Sequence, residues 1–368
     1  MKDLRNIPQL LSGNEPWEQR RLELRKQYAE TFYGVMPETG FETGYEVQKA
    51  RHTALGDVSC TVSAGRLTVR GPAGEHSFPL HLCVPDTPGK KPVMLYLAID
   101  GVPLGWDDPV TEPDGTLPFE RHTCRVPVPA MMERGMALAV CFADDIEPDR
   151  AESFPSGLAS AFFQERGPRD MGCLGTWAFG MRRALEVLRG FDWADTSRMM
   201  VSGCSRCGKT ALWCGVNEES VACTVSFESG CGGAALDRGK RDERVTRMMR
   251  TFPHWLCLNA LQWSENEEAM PYDQHMLLGL LAPRRLFVTS SSRDAFSDPY
   301  AEFLGAWYAG EAYREYGFAG LDTCIHPPVG EVLCGERVGY YLRDGEHGLE
   351  TEEWDALFAF LRQEGILN

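Results

Sequence analysis

Five short, nearly continuous apolar runs, each ending in polar residues, limit what this chain can fold into. They are KPVMLYLAID (Lys91 to Asp100), MALAVCFADD (Met136 to Asp145), SRMMVSGCS (Ser197 to Ser205), CTVSFESG (Cys223 to Gly230) and RRLFVTSSSRDA (Arg284 to Ala295). A strand is apolar at every position, rather than at alternate ones, when both of its faces are covered, as in a parallel sheet between helices. Two stretches with helical periodicity, Leu174 to Gly190 and Tyr300 to Gly317, lie between and after the runs. The pattern predicts an α/β fold with a mostly parallel central sheet, helices on both faces, and functional groups gathered at the carboxyl ends of the strands. Val58 to Val84 alternates β-forming residues with turn residues and predicts antiparallel strands at one edge of that sheet. Glu18 to Gly34 is charged and helix-prone, so a helix outside the sheet is expected there.

The chain has 368 residues, no internal repeat and no low-complexity linker, which fits one large elaborated domain. Residues 1–50 read as an N-terminal helical extension and 51–368 as the core. Asp107 to Arg121 and Phe318 to Gly339, both rich in proline and glycine, read as loops placed to roof a site. A formal net charge of -16 disfavours binding to nucleic-acid phosphates or to anionic membranes. The opening residues contain no apolar targeting segment, and no run of some eighteen apolar residues follows. A cytoplasmic protein with no membrane partner is therefore expected. Thirteen scattered cysteines, an odd number, fit reduced thiols better than a disulfide framework. Cys204 and Cys207 form a C-x-x-C, but no second such pair or histidine pair accompanies it, so no metal or organic cofactor is expected.

The chemistry centres on VSGCSRCGKTALWCG, Val201 to Gly215. A nucleophilic serine on a tight strand-to-helix turn needs small neighbours, usually as G-x-S-x-G. Here Gly203 precedes Ser205 by two residues, while the second glycine, Gly208, arrives one place late. The position is the expected one, between a buried strand and a helix start, but the local pattern alone also fits a structural glycine-rich loop. A serine hydroxyl requires a base, and His347 lies in a polar turn late in the chain, after a β-like stretch and before an amphipathic helix. His254 and His275 fit packing or helix-entry roles, and the remaining five histidines have no catalytic context. Glu228 and Asp294, at the ends of successive buried strands, compete as the acid that orients the imidazole.

With these residues assembled, the chain resembles the glucuronoyl esterases, carbohydrate esterase family 15. GCSRCGK (Gly203 to Lys209) fits that family's elbow, including the displaced glycine. ESGCGGAAL (Glu228 to Leu236), FPHWLC (Phe252 to Cys257), the stretch from Pro271 to Pro299 and YLRDGEHGL (Tyr341 to Leu349) match in order. The resemblance runs from about Pro92 to the last residue. It implies an α/β-hydrolase fold, with Ser205 as nucleophile, His347 as base and Glu228 as acid, some bacterial members holding an acid at the position of Asp294. It further implies that Arg206 helps bind the oxyanion and that Lys209 and Glu243 contact sugar hydroxyls. Read without the resemblance, Arg206 and Lys209 would be cations at a solvated helix start, where the helix dipole disfavours them.

The chain also departs from the family pattern. Cys207 replaces the commoner Asn or Asp, and Phe296 stands where many members carry a sugar-contacting tryptophan. Gly348 follows His347 where fungal members have a cysteine that pairs with the one before the nucleophile. The resemblance implies a serine carboxylester hydrolase that cleaves glucuronoyl or 4-O-methyl-glucuronoyl esters, with a small-molecule or oligosaccharide ester as its partner. Deacetylation of xylan-type oligosaccharides by the same residues is the alternative reaction, and a catalytically silent carbohydrate-binding protein is the alternative of another class.

Overall fold

The computed structural model describes residues 6–11, 15–99, 124–240 and 242–368. The expected loop from Asp107 to Arg121 lies outside them. Ten strands form one sheet: β1 (Glu42–Leu55), β2 (Val58–Gly71), β3 (Gly74–Pro85), β4 (Lys91–Ala98), β5 (Ala137–Phe142), β6 (Ala194–Cys204), β7 (Val221–Phe227), β8 (Arg285–Ser291), β9 (Val332–Cys334) and β10 (Val338–Arg343). Their order is β1-β2-β3-β5-β4-β6-β7-β8-β10-β9. β5, β4, β6, β7, β8 and β10 run parallel, β1 to β3 make an antiparallel arm joined to β5, and β9 closes the far edge antiparallel to β10.

All five apolar runs become adjacent parallel strands, and β4 shows why their sequences carry no alternation. Val93, Leu95 and Leu97 enter one core, with Trp177 and Trp213, while Met94, Tyr96 and Ala98 enter the other, with Trp354 and Phe227. Each face needs its own apolar residues, so every position is apolar. The covering helices are α1 (Trp17–Tyr28), α2 (Val128–Glu133), α3 (Ala143–Ile146), α4 (Cys173–Arg189), α5 (Arg206–Asn217), α6 (Val245–Thr251), α7 (Gln274–Gly279), α8 (Pro299–Arg314) and α9 (Thr351–Gln363). α8 starts with Pro299 behind the N-cap Asp298, whose carboxylate accepts the Ala301 N–H at 3.0 Å. A reciprocal capping box between Glu350 and Glu353 starts α9 directly after the His347 turn and fixes where that turn ends.

Two expectations are corrected. The boundary at residue 50 falls inside β1, because the N-terminal segment turns from helix into an edge strand at Glu42. Phe318 to Gly339 holds β9 and the start of β10, and none of its residues lines the cavity described below. Among the described residues, no helix is long and apolar enough to cross a membrane.

Candidate active site

β6 ends at Cys204 and α5 begins at Arg206, leaving Ser205 alone on the turn with φ 58° and ψ -125°. That sparsely populated backbone conformation is maintained from both sides. The Ser205 N–H donates to Phe227 O at 2.8 Å, and its carbonyl accepts the N–H groups of Gly208 and Lys209 at 2.9 and 3.1 Å. The glycines explain the spacing. A Cβ on Gly203 would lie 2.5 Å from the backbone of Cys207, and one on Gly208 would meet Gly203 O and Ser229 Cβ at 3.0 Å. The helix start passes close to the ends of β6 and β7 at residue 208, where a side chain would be crowded, while Cys207 points into the core. All thirteen cysteines are free thiols, and those of the C-x-x-C are buried.

Ser205 and His347 line the same cavity of about 280 Å³, near the lower end of the roughly 300–1,000 Å³ typical of small-molecule pockets. Residues from 243 to 255, together with Phe296 and Ser297, form much of its wall. His347 Nδ1 faces two carboxylates, Asp294 Oδ2 at 2.6 Å and Glu228 Oε2 at 3.3 Å. The imidazole is 42% exposed, so partial desolvation opposes its charge only in part, and the hydrogen bonds and charges of Asp294 and Glu228 push its pKa up to about 10. Burial likewise opposes ionisation of Asp294, yet His347 and Ser297 hold its carboxyl down at about 2. The two acids therefore act together on one ring nitrogen, the shorter bond belonging to Asp294.

Glu228 is fully buried and more heavily engaged than its competitor. Its Oε1 accepts from Ser291 Oγ and, at 3.2 Å, from Arg343 Nη2, while Oε2 accepts the Gly348 N–H at 2.7 Å. Gly348 is the residue directly after the histidine, so Glu228 anchors the backbone of the His347 turn as well as facing its ring. Arg343 extends this support by donating to Glu346 O and Gly348 O at 2.7 and 3.0 Å.

Arg206 opens α5, so its N–H belongs to the four that a helix start leaves without an intrahelical acceptor. Its guanidinium is ion-paired with Asp149 and lies 4.9 Å from the centre of the Trp255 ring. Asp149 is a hub: Oδ2 takes Arg206, while Oδ1 accepts His254 Nε2 and Trp255 Nε1, both at 2.7 Å. Trp255 stacks on Phe252 with ring centres 3.9 Å apart. His254 is thus part of the support behind Arg206, a more specific task than packing or helix entry. Lys209 is buried, which rules out the solvated helix start considered for it. Its Nζ donates to Ser229 O at 2.6 Å and faces Glu243 Oε2 at 3.5 Å. Phe296 is 44% exposed on the cavity rim.

The structure thus brings Ser205, His347, Glu228, Asp294, Arg206, Lys209, Glu243 and Phe296 to one place. Asp149, Arg343, Trp255 and Arg247 join them without having been singled out from sequence. Trp255 lies in a quoted motif, and Asp149 shortly follows the end of a parallel strand, which is the signal that could have found it. Two clusters have metal-type donors, Glu228/Asp294/His347 and Asp149/Cys173/His254, each with its donor atoms within 4.8 Å of one another. The carboxylates of both are engaged by protein N–H and O–H donors, and burial keeps the Cys173 thiol well above its ordinary pKa, so both sets fit hydrogen-bonded networks better than ion sites.

A family model described as fungal glucuronyl esterase matches residues 122–317. Carbohydrate esterase MZ0003, from an unknown prokaryotic organism, is 37% identical over 232 residues, covering 62% of this chain and 53% of its own. 4-O-methyl-glucuronoyl methylesterase 1 of Phanerochaete chrysosporium is 38% identical over 166 residues, covering 42% of this chain and 34% of its own. The chain thus spans about half, or less, of the length of these curated relatives. A glucuronoyl esterase structure from Solibacter usitatus superposes with a TM-score of 0.85 at 30% identity, covering 97% of each chain. Matched over more than half its length by the family model and over nearly all of it by that structure, the chain belongs to the glucuronoyl esterase family, carbohydrate esterase family 15, with the α/β-hydrolase fold.

Proposed function

We propose that this protein hydrolyses esters of a glucuronate or 4-O-methyl-glucuronate carboxyl through Ser205, His347 and the Asp294/Glu228 pair. The observation that carries this reading is the cavity lined by both a serine on a strained elbow and a histidine whose Nδ1 faces two carboxylates. His347 Nε2 takes the Ser205 proton as Oγ bonds to the ester carbonyl carbon. The oxyanion is met by the Arg206 N–H, with the guanidinium adding positive charge nearby. Collapse of the intermediate breaks the bond to the alcohol, which leaves with the proton from His347. Water, activated by the same imidazole, then frees the uronate from Ser205. The buried Lys209–Glu243 pair and the Trp255 face are suited to a sugar ring, since they offer directed donors and acceptors beside an apolar surface.

The test is wild type against Ser205→Ala and His347→Ala on benzyl glucuronate and on an acetylated xylo-oligosaccharide. Serine-dependent release of glucuronate is expected, with each variant at least about a thousandfold slower. Release of acetate alone would move the reaction to deacetylation. Labelling of wild type by a fluorophosphonate probe should vanish in Ser205→Ala, and a folded wild type that does not label would leave only a binding role.

A further inference from the structure

Besides His347, which faces Asp294 and Glu228, three cations line the cavity, Arg206, Lys209 and Arg247, against one lining acid, Glu243, in a chain of net charge -16. Two of them have a carboxylate of their own: Arg206 pairs with Asp149 and Lys209 with Glu243. Arg247, on α6, is exposed and forms no ion pair among the described residues. Its guanidinium lies 5.1 Å from the centre of the Phe296 ring, and its one hydrogen bond among those residues is to Asp242 O at 3.4 Å. Stacking on an aromatic face orients a guanidinium without neutralising it, and most of its five N–H donors are left for a ligand.

An esterified uronate carboxyl is neutral, and the carboxylate freed from it forms at Ser205 and Arg206. Neither explains a second, pre-oriented guanidinium at the rim. We propose that Arg247 and Phe296 form a subsite for a free carboxylate on the carbohydrate next to the esterified uronate, so that the preferred substrate is an acidic oligosaccharide with only some of its carboxyls esterified. The inference rests on the ester-hydrolase reading above. The sugar side is assigned because Arg247 shares its wall with Glu243 and Trp255, the groups suited to the sugar ring. A planar guanidinium matches a carboxylate in two parallel hydrogen bonds, which a lysine at the same place would not reproduce.

The experiment compares two substrates that differ only in charge: a uronic-acid disaccharide methyl-esterified at one carboxyl with the other free, and the same ester with the other carboxyl converted to its amide. Wild type should favour the free carboxylate about three- to tenfold in kcat/KM, mainly through KM, and 0.5 M salt should shrink that preference. Arg247→Gln should bring the ratio close to one, with Arg247→Lys in between. No preference in wild type, or a preference that survives in Arg247→Gln, would overturn the subsite while leaving the esterase reading intact. If neither ester is turned over, the esterase reading falls, and calorimetric binding of the unesterified disaccharide decides the subsite alone. Weaker binding to Arg247→Gln supports it, and equal binding to both proteins overturns it.

Discussion

At the scale of single residues, Asp294 and Glu228 face the same nitrogen at 2.6 and 3.3 Å, yet their other contacts give them different tasks. Asp294→Asn should lower kcat at least about a hundredfold, as expected when the acid that orients a catalytic imidazole loses its charge. It should also move the acid limb of the kcat/KM profile to lower pH, because removing an anion beside Nδ1 lowers the pKa of the ring. Glu228→Gln should cost on the order of 3 kcal/mol of stability, read by denaturant unfolding, since it breaks a buried pair with Arg343 and loosens the His347 turn. Asp149→Asn is a narrower probe. With its oxygen kept toward His254 and Trp255, the new amide N–H₂ would meet the Arg206 guanidinium, and kcat should fall about ten- to a hundredfold in steady-state assays with little loss of fold. Ser205 and His347 were legible in the sequence because their signals are local, a small-residue turn and a polar turn after a strand. Asp149 and Arg343 were not, because their partners lie 57 and 115 residues away along the chain.

At the scale of elements, the elbow between β6 and α5 is the least forgiving part of the fold. Gly203→Ala would force a Cβ to within 2.5 Å of the Cys207 backbone, so either the strand end or the helix start must shift and carry Ser205 with it. A loss of about 1–3 kcal/mol in stability is expected, together with activity falling further than the folded fraction does; unfolding curves and active-site titration with a fluorophosphonate separate the two. The buried parallel strands were readable because continuous apolar runs have few other solutions. The cavity wall from 243 to 255 was not, since α6 has only 7 residues and its surroundings are irregular. The proline-rich stretch that ends in β9 and β10 looked like a better roof than it is, because composition reports turns but not where they point.

At the scale of the molecule, stability and activity should respond to pH in opposite directions. His347 keeps a proton in the folded state that an unfolded chain gives up near the ordinary histidine value, so its contribution is complete below that value and is lost as pH rises toward about 10. Burial raises the Glu302 carboxyl to about 8, which also lowers stability as pH climbs from the ordinary carboxylate range through that value. A net charge of -16 adds self-repulsion on the same side. On the proposed mechanism, however, His347 acts as base only when neutral. Between pH 6 and 9, Tm should therefore fall by several degrees while kcat/KM rises, which thermal melts and initial rates in the same buffers would check.

The Asp149 hub has one further consequence, for how such an enzyme can change over generations. A mutation there disturbs Arg206, His254 and Trp255 at once, whereas one at the exposed Phe296 or Arg247 disturbs mainly the other of the two. A change at Asp149 therefore reaches three side chains behind the cavity, and a change at the rim reaches few. On the proposed mechanism, variants made to accept other sugars should therefore change the rim, at Phe296 and Arg247, and leave Asp149 alone.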